Sequence, residues 1–210
     1  MIEIKYNSVS LIRSALIGSE PPRDFKAQRL LADLPPHMRP RRPWKSAAVL
    51  VPVVMHLKGL TILLTQRTES LLDHAGQVSF PGGSCEVDDS DPVQTALRET
   101  DEETGLDRRF IEAIGFLDGY LTITGYAVTP VVGLVKPGYR LQPDPLEVAE
   151  VFEVPLVFLR DPANRQIRSR RVGDRDVGYY LFEYNQHIIW GATAGMLVNF
   201  LHKLEQAEVA

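Results

Sequence analysis

Three glutamates, Glu99, Glu102 and Glu103, stand at i, i+3 and i+4 in the stretch LRETDEETGL, so a helix there brings their carboxylates to one face. Like charges at helical spacing cost roughly a few tenths of a kcal/mol per pair, and Asp101 adds negative charge alongside. The cluster also lies toward the C-terminal half of its helix, where the backbone dipole disfavours anions. Two readings compete. A solvated acidic face tolerates such crowding. A divalent cation reverses the sign of the argument, because hard ions such as Mg²⁺ or Mn²⁺ want several carboxylate oxygens close together. Arg98 precedes the cluster and is placed to orient one of the carboxylates.

The element that must carry these residues can be read from its ends. Asp91 is an N-cap with Pro92 at the first helical position, and Gln94 completes a capping-box pattern. Gly105 supplies a left-handed stop. The helix expected from Pro92 to Thr104 is about 20 Å long at 1.5 Å per residue. Its Val93, Ala96, Leu97 and Thr100 form the stripe that packs on the rest of the protein.

Composition sets wider bounds. The chain has 210 residues with 44% apolar content, enough for one sizeable core. A net charge of −4 argues against a general nucleic-acid binder. A single cysteine, Cys85, excludes a disulfide framework and makes a reducing compartment the expectation. The N-terminus lacks the layout of a signal peptide, and no run approaches the roughly 20 apolar residues that cross a bilayer. A cytoplasmic enzyme without a membrane partner is therefore expected.

Residues 1–45 read as an N-terminal extension, with one amphipathic helix after Ser8 that stops at Gly18, a second from Asp24 to Leu34, and a Pro/Arg-rich linker. Residues 46–210 read as the main domain. It opens with Ala47–Met55, an apolar run suited to a strand buried on both faces. Lys58-Gly59 turns the chain into a second strand, Leu60–Gln66. Further strands are expected over Phe110–Tyr120, Ala127–Val135 and Val148–Val154. A short helix starts at Pro155, and a hairpin is centred on Gly173-Asp174. His187–Trp190 is a last strand, and Ala192–Leu204 a closing amphipathic helix. The histidines His56, His74, His187 and His202 are scattered, as surface or core residues would be.

One resemblance is specific. Gly82-Gly83 followed by Arg98-Glu99-Thr100-Asp101-Glu102-Glu103-Thr104-Gly105-Leu106 resembles the Nudix box. The loop before Arg98 is one residue longer than in the general pattern, and Ser90 stands where a glutamate is usual; Asp88, Asp89 or Asp91 can replace that acid. Leu63-Leu64-Thr65-Gln66-Arg67 with Gly76-Gln77-Val78-Ser79-Phe80-Pro81-Gly82-Gly83 is similar to the additional motif of the coenzyme A pyrophosphatase branch, from which Thr68 and Leu72 depart. Trp190–Gly195 resembles that branch as well.

The resemblance implies an α/β protein with the Nudix fold, a mixed β-sheet sandwiched between α-helices. It implies hydrolysis of a pyrophosphate bond with Mg²⁺ or Mn²⁺. Glu99 and Glu103, one helical turn apart, are the expected metal ligands, with Glu102 a third candidate that also enters the catalytic set. Glu147, from a later acidic segment, is the expected general base. Arg67 and the backbone N–H groups of Gly82 and Gly83 are the expected phosphate contacts. The expected partner is a small molecule, coenzyme A or a related nucleotide, with a homodimer left open. Competing readings are a hydrolase of another nucleoside-diphosphate compound, such as ADP-ribose or NADH, and a non-catalytic nucleotide sensor.

Overall fold

The computed structural model describes residues 2–23, 43–70, 74–172 and 175–209. The expected helix over Asp24–Leu34, most of the Pro/Arg-rich linker, Leu72 and the Gly173-Asp174 turn lie outside the described residues.

The apolar run after residue 44 forms β1 (Lys45–His56), the centre of a mixed sheet. On one side it pairs antiparallel with β2 (Gly59–Arg67), and Val53 lies opposite Ile62. On the other it runs parallel to β7 (Tyr126–Val135), from Lys45↔Tyr126 to Val54↔Val135. β2 pairs in turn with β3 (Val78–Ser79) and β8 (Val148–Pro155). β7 pairs with β5 (Ile111–Phe116) and β6 (Tyr120–Leu121). A near-continuous apolar sequence is what such a central strand requires, since both of its faces are covered.

The two faces carry different partners. Val51, Val53, Ile62 and Leu64 point into the larger core, with Ile12 and Leu16 of α1 (Ile2–Leu16). The closing helix, α4 (Gly191–Val209), adds Leu197, Phe200 and Leu201 to the same core. Ala48 and Leu50, alternate residues of β1, face the opposite way onto Ala96 of α2 (Pro92–Thr104). The result is an α/β/α sandwich. A separate antiparallel sheet joins β9 (Gln166–Val172), β10 (Arg175–Tyr184) and β11 (His187–Trp190), and a short helix α3 (Leu156–Arg160) precedes it.

Three details differ from the sequence expectations. The single strand expected over Phe110–Tyr120 is two, because a register shift at Ala113/Gly115 and the loop after Phe116 divide it. Gly82-Gly83, where no strand was expected, belongs to β4 (Gly82–Ser84), paired antiparallel with Ala47–Val49 of β1. In the extension, the helix expected after Ser8 begins at Ile2; its Ile12 and Leu16 are buried in the main core, and Ser19 Oγ accepts the Phe116 N–H at 2.9 Å.

Candidate active site

Helix α2 forms where its caps place it. Asp91 Oδ1 accepts the Gln94 N–H at 2.9 Å, and Gly105 takes the left-handed conformation at φ 69°. Gln94 reaches back one residue further than the capping box predicts, its Oε1 accepting the N–H of Ser90 at 3.0 Å. The buried threonines Thr100 and Thr104 satisfy their hydroxyls on the helix itself, donating to Ala96 O and Thr100 O.

The face that carries the glutamates is not a solvated one. The Glu103 side chain is only 3% exposed. Its Oε2 accepts the Gly82 N–H at 3.2 Å, and its Oε1 lies 3.5 Å from Arg67 Nη1. Burial pushes the Glu103 carboxyl up to about 8, against the opposing pull of Gly82 and Arg67. Glu99 is also raised, again chiefly by burial, while Arg98 pulls the other way. The negative charge of Glu147 adds slightly to the rise of both carboxyls, and the later segment touches the helix where Asp144 N donates to Glu103 O at 3.0 Å. Gly83 makes room for this arrangement: a Cβ there would lie 2.5 Å from the Glu99 carboxylate. Gly82 is equally constrained, with φ 149° and Ala48 O at 2.4 Å from where a Cβ would stand.

Arg98 organises the rest. Its Nε and Nη2 grip Asp89 at 3.1 and 2.9 Å, and its Nη1 donates to Glu99 at 2.9 Å and to Glu102 at 3.1 Å. Nη2 also donates to Ser84 O at 3.2 Å, tying the fork to the end of β4. Asp89 accepts the Thr95 hydroxyl and the Glu86 N–H as well, and these contacts, led by Arg98, hold its carboxyl well below the usual range. Of the three acids available to replace the glutamate at Ser90, Asp89 is therefore the one that engages Arg98, while Asp91 is committed to the helix cap.

Not every expected residue meets this cluster. Glu102 faces Arg98 from the rim, with its side chain 60% exposed. The Gly82 N–H, expected on a phosphate, is engaged by Glu103, and Gly83 lies opposite Ala48 in the β1–β4 pairing. Arg67 points to Glu103, and its Nε is buried without a hydrogen-bond partner. Glu150 lies 3.7 Å from His187, which stacks on Phe152. Glu153 enters a separate cluster with His56, Thr61 and Tyr139. His74 bonds Gln77 at 2.9 Å. Thr68 entered the sequence reading only as a departure from the motif; its hydroxyl donates to Leu146 O beside Glu147, and a threonine just after a strand carries no signal of a contact 78 residues away.

Among the described residues no group of three or more His, Cys, Asp or Glu side chains is gathered closely enough to make a ready metal cage. The donor set nevertheless fits a hard cation: oxygen ligands only, on one helical turn, with Glu103 buried beyond what one N–H and one distant guanidinium offset.

The arrangement is a mixed sheet between helices, with desolvated carboxylates on a short helix against a glycine strand. A NUDIX domain profile matches residues 44–173, and the chain belongs to the Nudix hydrolases. It is 38% identical over 177 residues to a Pectobacterium atrosepticum protein described as "Uncharacterized Nudix hydrolase NudL", covering 80% of this chain and 88% of the relative. The protein of the same description from Photorhabdus laumondii is 40% identical over 185 residues, covering 87% and 95%. That from Escherichia coli K12 is 41% identical over 156 residues, covering 73% and 79%. Among solved structures, the MutT protein of Methanosarcina mazei Go1 superposes with a TM-score of 0.51 at 16% identity, covering 81% of this chain and 99% of that one. A MutT/nudix family protein of Enterococcus faecalis gives 0.51 at 18%, covering 79% and 64%. These two likenesses are of fold. Nudix hydrolases act on small molecules and generally need divalent cations such as Mg²⁺ or Mn²⁺. No helix of the described residues is long and apolar enough to cross a membrane.

Proposed function

We propose that the chain hydrolyses the pyrophosphate bond of coenzyme A and its thioesters, giving 3′,5′-ADP and 4′-phosphopantetheine or its acyl form. The observation that carries this reading is where the branch-specific motif falls. The strand Leu63–Arg67 and the stretch Gly76–Gly83 pair with each other, Thr65 opposite Ser79 and Gln66 opposite Val78, and Arg67 N donates to Gln77 O at 3.0 Å. This wall ends at Arg67, 3.5 Å from Glu103. The motif that resembles the coenzyme A branch thus adjoins the carboxylates rather than lying elsewhere on the surface.

In this reading Glu99 and Glu103, with Glu102 reaching from the rim, hold Mg²⁺ or Mn²⁺. When bound, the cation supplies charge neutralisation for the pyrophosphate oxygens and Lewis acidity toward the attacking water. Arg98 fixes the rotamers of Glu99 and Glu102 through its fork. Arg67 leaves Glu103 to meet a phosphate, a bidentate contact that its guanidinium suits. Gly82 and Gly83 admit the phosphates beside a backbone that carries no side chain. Glu147 takes the proton from the water. The residues that do this all lie within 46–210, which we propose as the catalytic domain, with 1–45 an extension packed on it through α1. The protein needs neither nucleic acid nor membrane for this chemistry.

Purified protein with Mn²⁺ or Mg²⁺ and a panel of coenzyme A, ADP-ribose and NADH tests the assignment. Coenzyme A is expected to lead in kcat/KM by about tenfold or more, equivalent to about 1.4 kcal/mol of discrimination. Equal turnover of ADP-ribose would overturn the substrate and leave the hydrolase. Tight nucleotide binding without turnover would favour the sensor.

A further inference from the structure

The carboxylates on α2 are positioned by their own helix, whereas Glu147 arrives from a stretch, residues 142–147, that belongs to no helix or strand. That stretch is tied at both ends. Its start caps α2, Gln142 N donating to Thr104 O at 2.8 Å and Asp144 N to Glu103 O at 3.0 Å. Asp144 then holds the turn, its Oδ1 accepting Leu146 N at 2.9 Å and its carbonyl accepting Glu147 N at 3.1 Å. Pro143 and Pro145 fix two further φ angles within it.

The other tie comes from β2. Thr68 N donates to Glu147 O at 3.0 Å, and Thr68 Oγ1 donates to Leu146 O at 3.0 Å while its oxygen lies 3.0 Å from Ser70 Oγ. Just beyond, the β2–β8 pairing slips: Gln66 faces Glu150 but Arg67 faces Val148, leaving Ala149 as an extra residue in β8. A bulge of this kind bends its strand and re-aims the residues around it. Here it falls at the start of β8, and Thr68 holds the chain just before it.

We propose that Thr68 is a positioning residue for Glu147, holding the segment that carries this acid against the carboxylates of α2. The proposal rests on the catalytic reading of Glu147 and goes beyond it. Thr68 follows Arg67 directly, so one strand end serves both the phosphate contact and the placement of the base. An error of about 1 Å in a catalytic group can cost as much as a hundredfold in rate, whereas one partly exposed hydrogen bond contributes little to stability.

The test compares Thr68→Val, which keeps the β-branched shape and the backbone N–H, with Thr68→Ser, Thr68→Ala and Glu147→Gln, using Mn²⁺ and the best substrate of the panel. Thr68→Val and Thr68→Ala are expected to lower kcat roughly five- to tenfold, with KM and Tm nearly unmoved, and Thr68→Ser is expected to restore the rate. In the double variant with Glu147→Gln, Thr68→Val should cause no further loss, because the residue it serves is gone. A full second loss in that background, or failure of serine to rescue, would overturn the role of Thr68 while leaving that of Glu147 intact. Glu147→Gln turning over at the wild-type rate would remove the catalytic reading of Glu147, and the proposal with it.

Discussion

Two glutamates of this protein, Glu153 half-buried and Glu103 fully buried, live under opposite conditions. Glu153, on β8, is taken partly out of water, and burial alone would raise its carboxyl. Three side chains outweigh that: Thr61 and Tyr139 donate to it, Tyr139 at 2.8 Å, and His56 bonds it through Nε2, so its carboxyl falls below the ordinary value. Glu103 is buried more deeply and has one backbone N–H and an arginine at 3.5 Å, and its carboxyl is pushed up to about 8. The first is a carboxylate whose needs the fold meets. The second is one whose needs are left for something that is not part of the chain, and that deficit is what separates a binding carboxylate from a structural one.

The widest gap should open at Glu103 itself. Glu103→Gln is expected to lower kcat by roughly a thousandfold, several kcal/mol of lost transition-state stabilisation, while Tm holds or rises because a carboxyl whose ionisation is opposed by burial is gone. Steady-state kinetics beside a thermal melt check both halves, and an active variant removes Glu103 from the metal set.

Arg98→Lys comes next. It keeps the charge but loses the fork that joins Asp89, Glu99, Glu102 and Ser84. A loss of about 10- to 100-fold in metal affinity or activity is expected, read by titrating activity against Mn²⁺. At Glu153 the effects should be on stability and not on turnover. Glu153→Gln is expected to cost about 1–3 kcal/mol in urea unfolding at neutral pH, with kcat unchanged. The sign of its pH dependence follows from the lowered carboxyl. Its contribution is fully present above the unfolded-state value and is lost as pH falls through the lower folded value. The stability difference between wild type and Glu153→Gln should therefore shrink on acidification below about pH 4, near the ordinary glutamate value. A difference that grows there would contradict the hydrogen-bond account.

Much of this was legible because local signals agreed. Asp91, Pro92 and Gly105 marked both ends of α2, and the run Ala47–Met55 marked the central strand. The i, i+3, i+4 spacing showed that Glu99, Glu102 and Glu103 share a face, but not that the face turns inward at Glu103 and stays wet at Glu102. That depends on β4 lying against the helix, and two adjacent glycines do not announce a strand until their pairing with β1 is seen. The choice of Asp89 over Asp88 and Asp91 was likewise tertiary, made by the reach of Arg98. Nothing local marked Glu153, because its partners His56, Thr61 and Tyr139 are separated from it in the chain.

The parallel pairing of β1 with β7 also bears on how the molecule is assembled. It joins residues 45–54 to residues 126–135, and everything between them, including Arg67, the glycine strand and the whole of α2, is a loop closed by that contact. Non-local pairings of this kind are slow to form, because the entropy of closing the loop is lost before any contact repays it. Helix α2 leans on Ala48, Leu50 and Val131, which come from both partners of the pairing. The acidic helix therefore gains part of its support when the middle of the sheet zips shut, so completing that pairing and completing the site are linked.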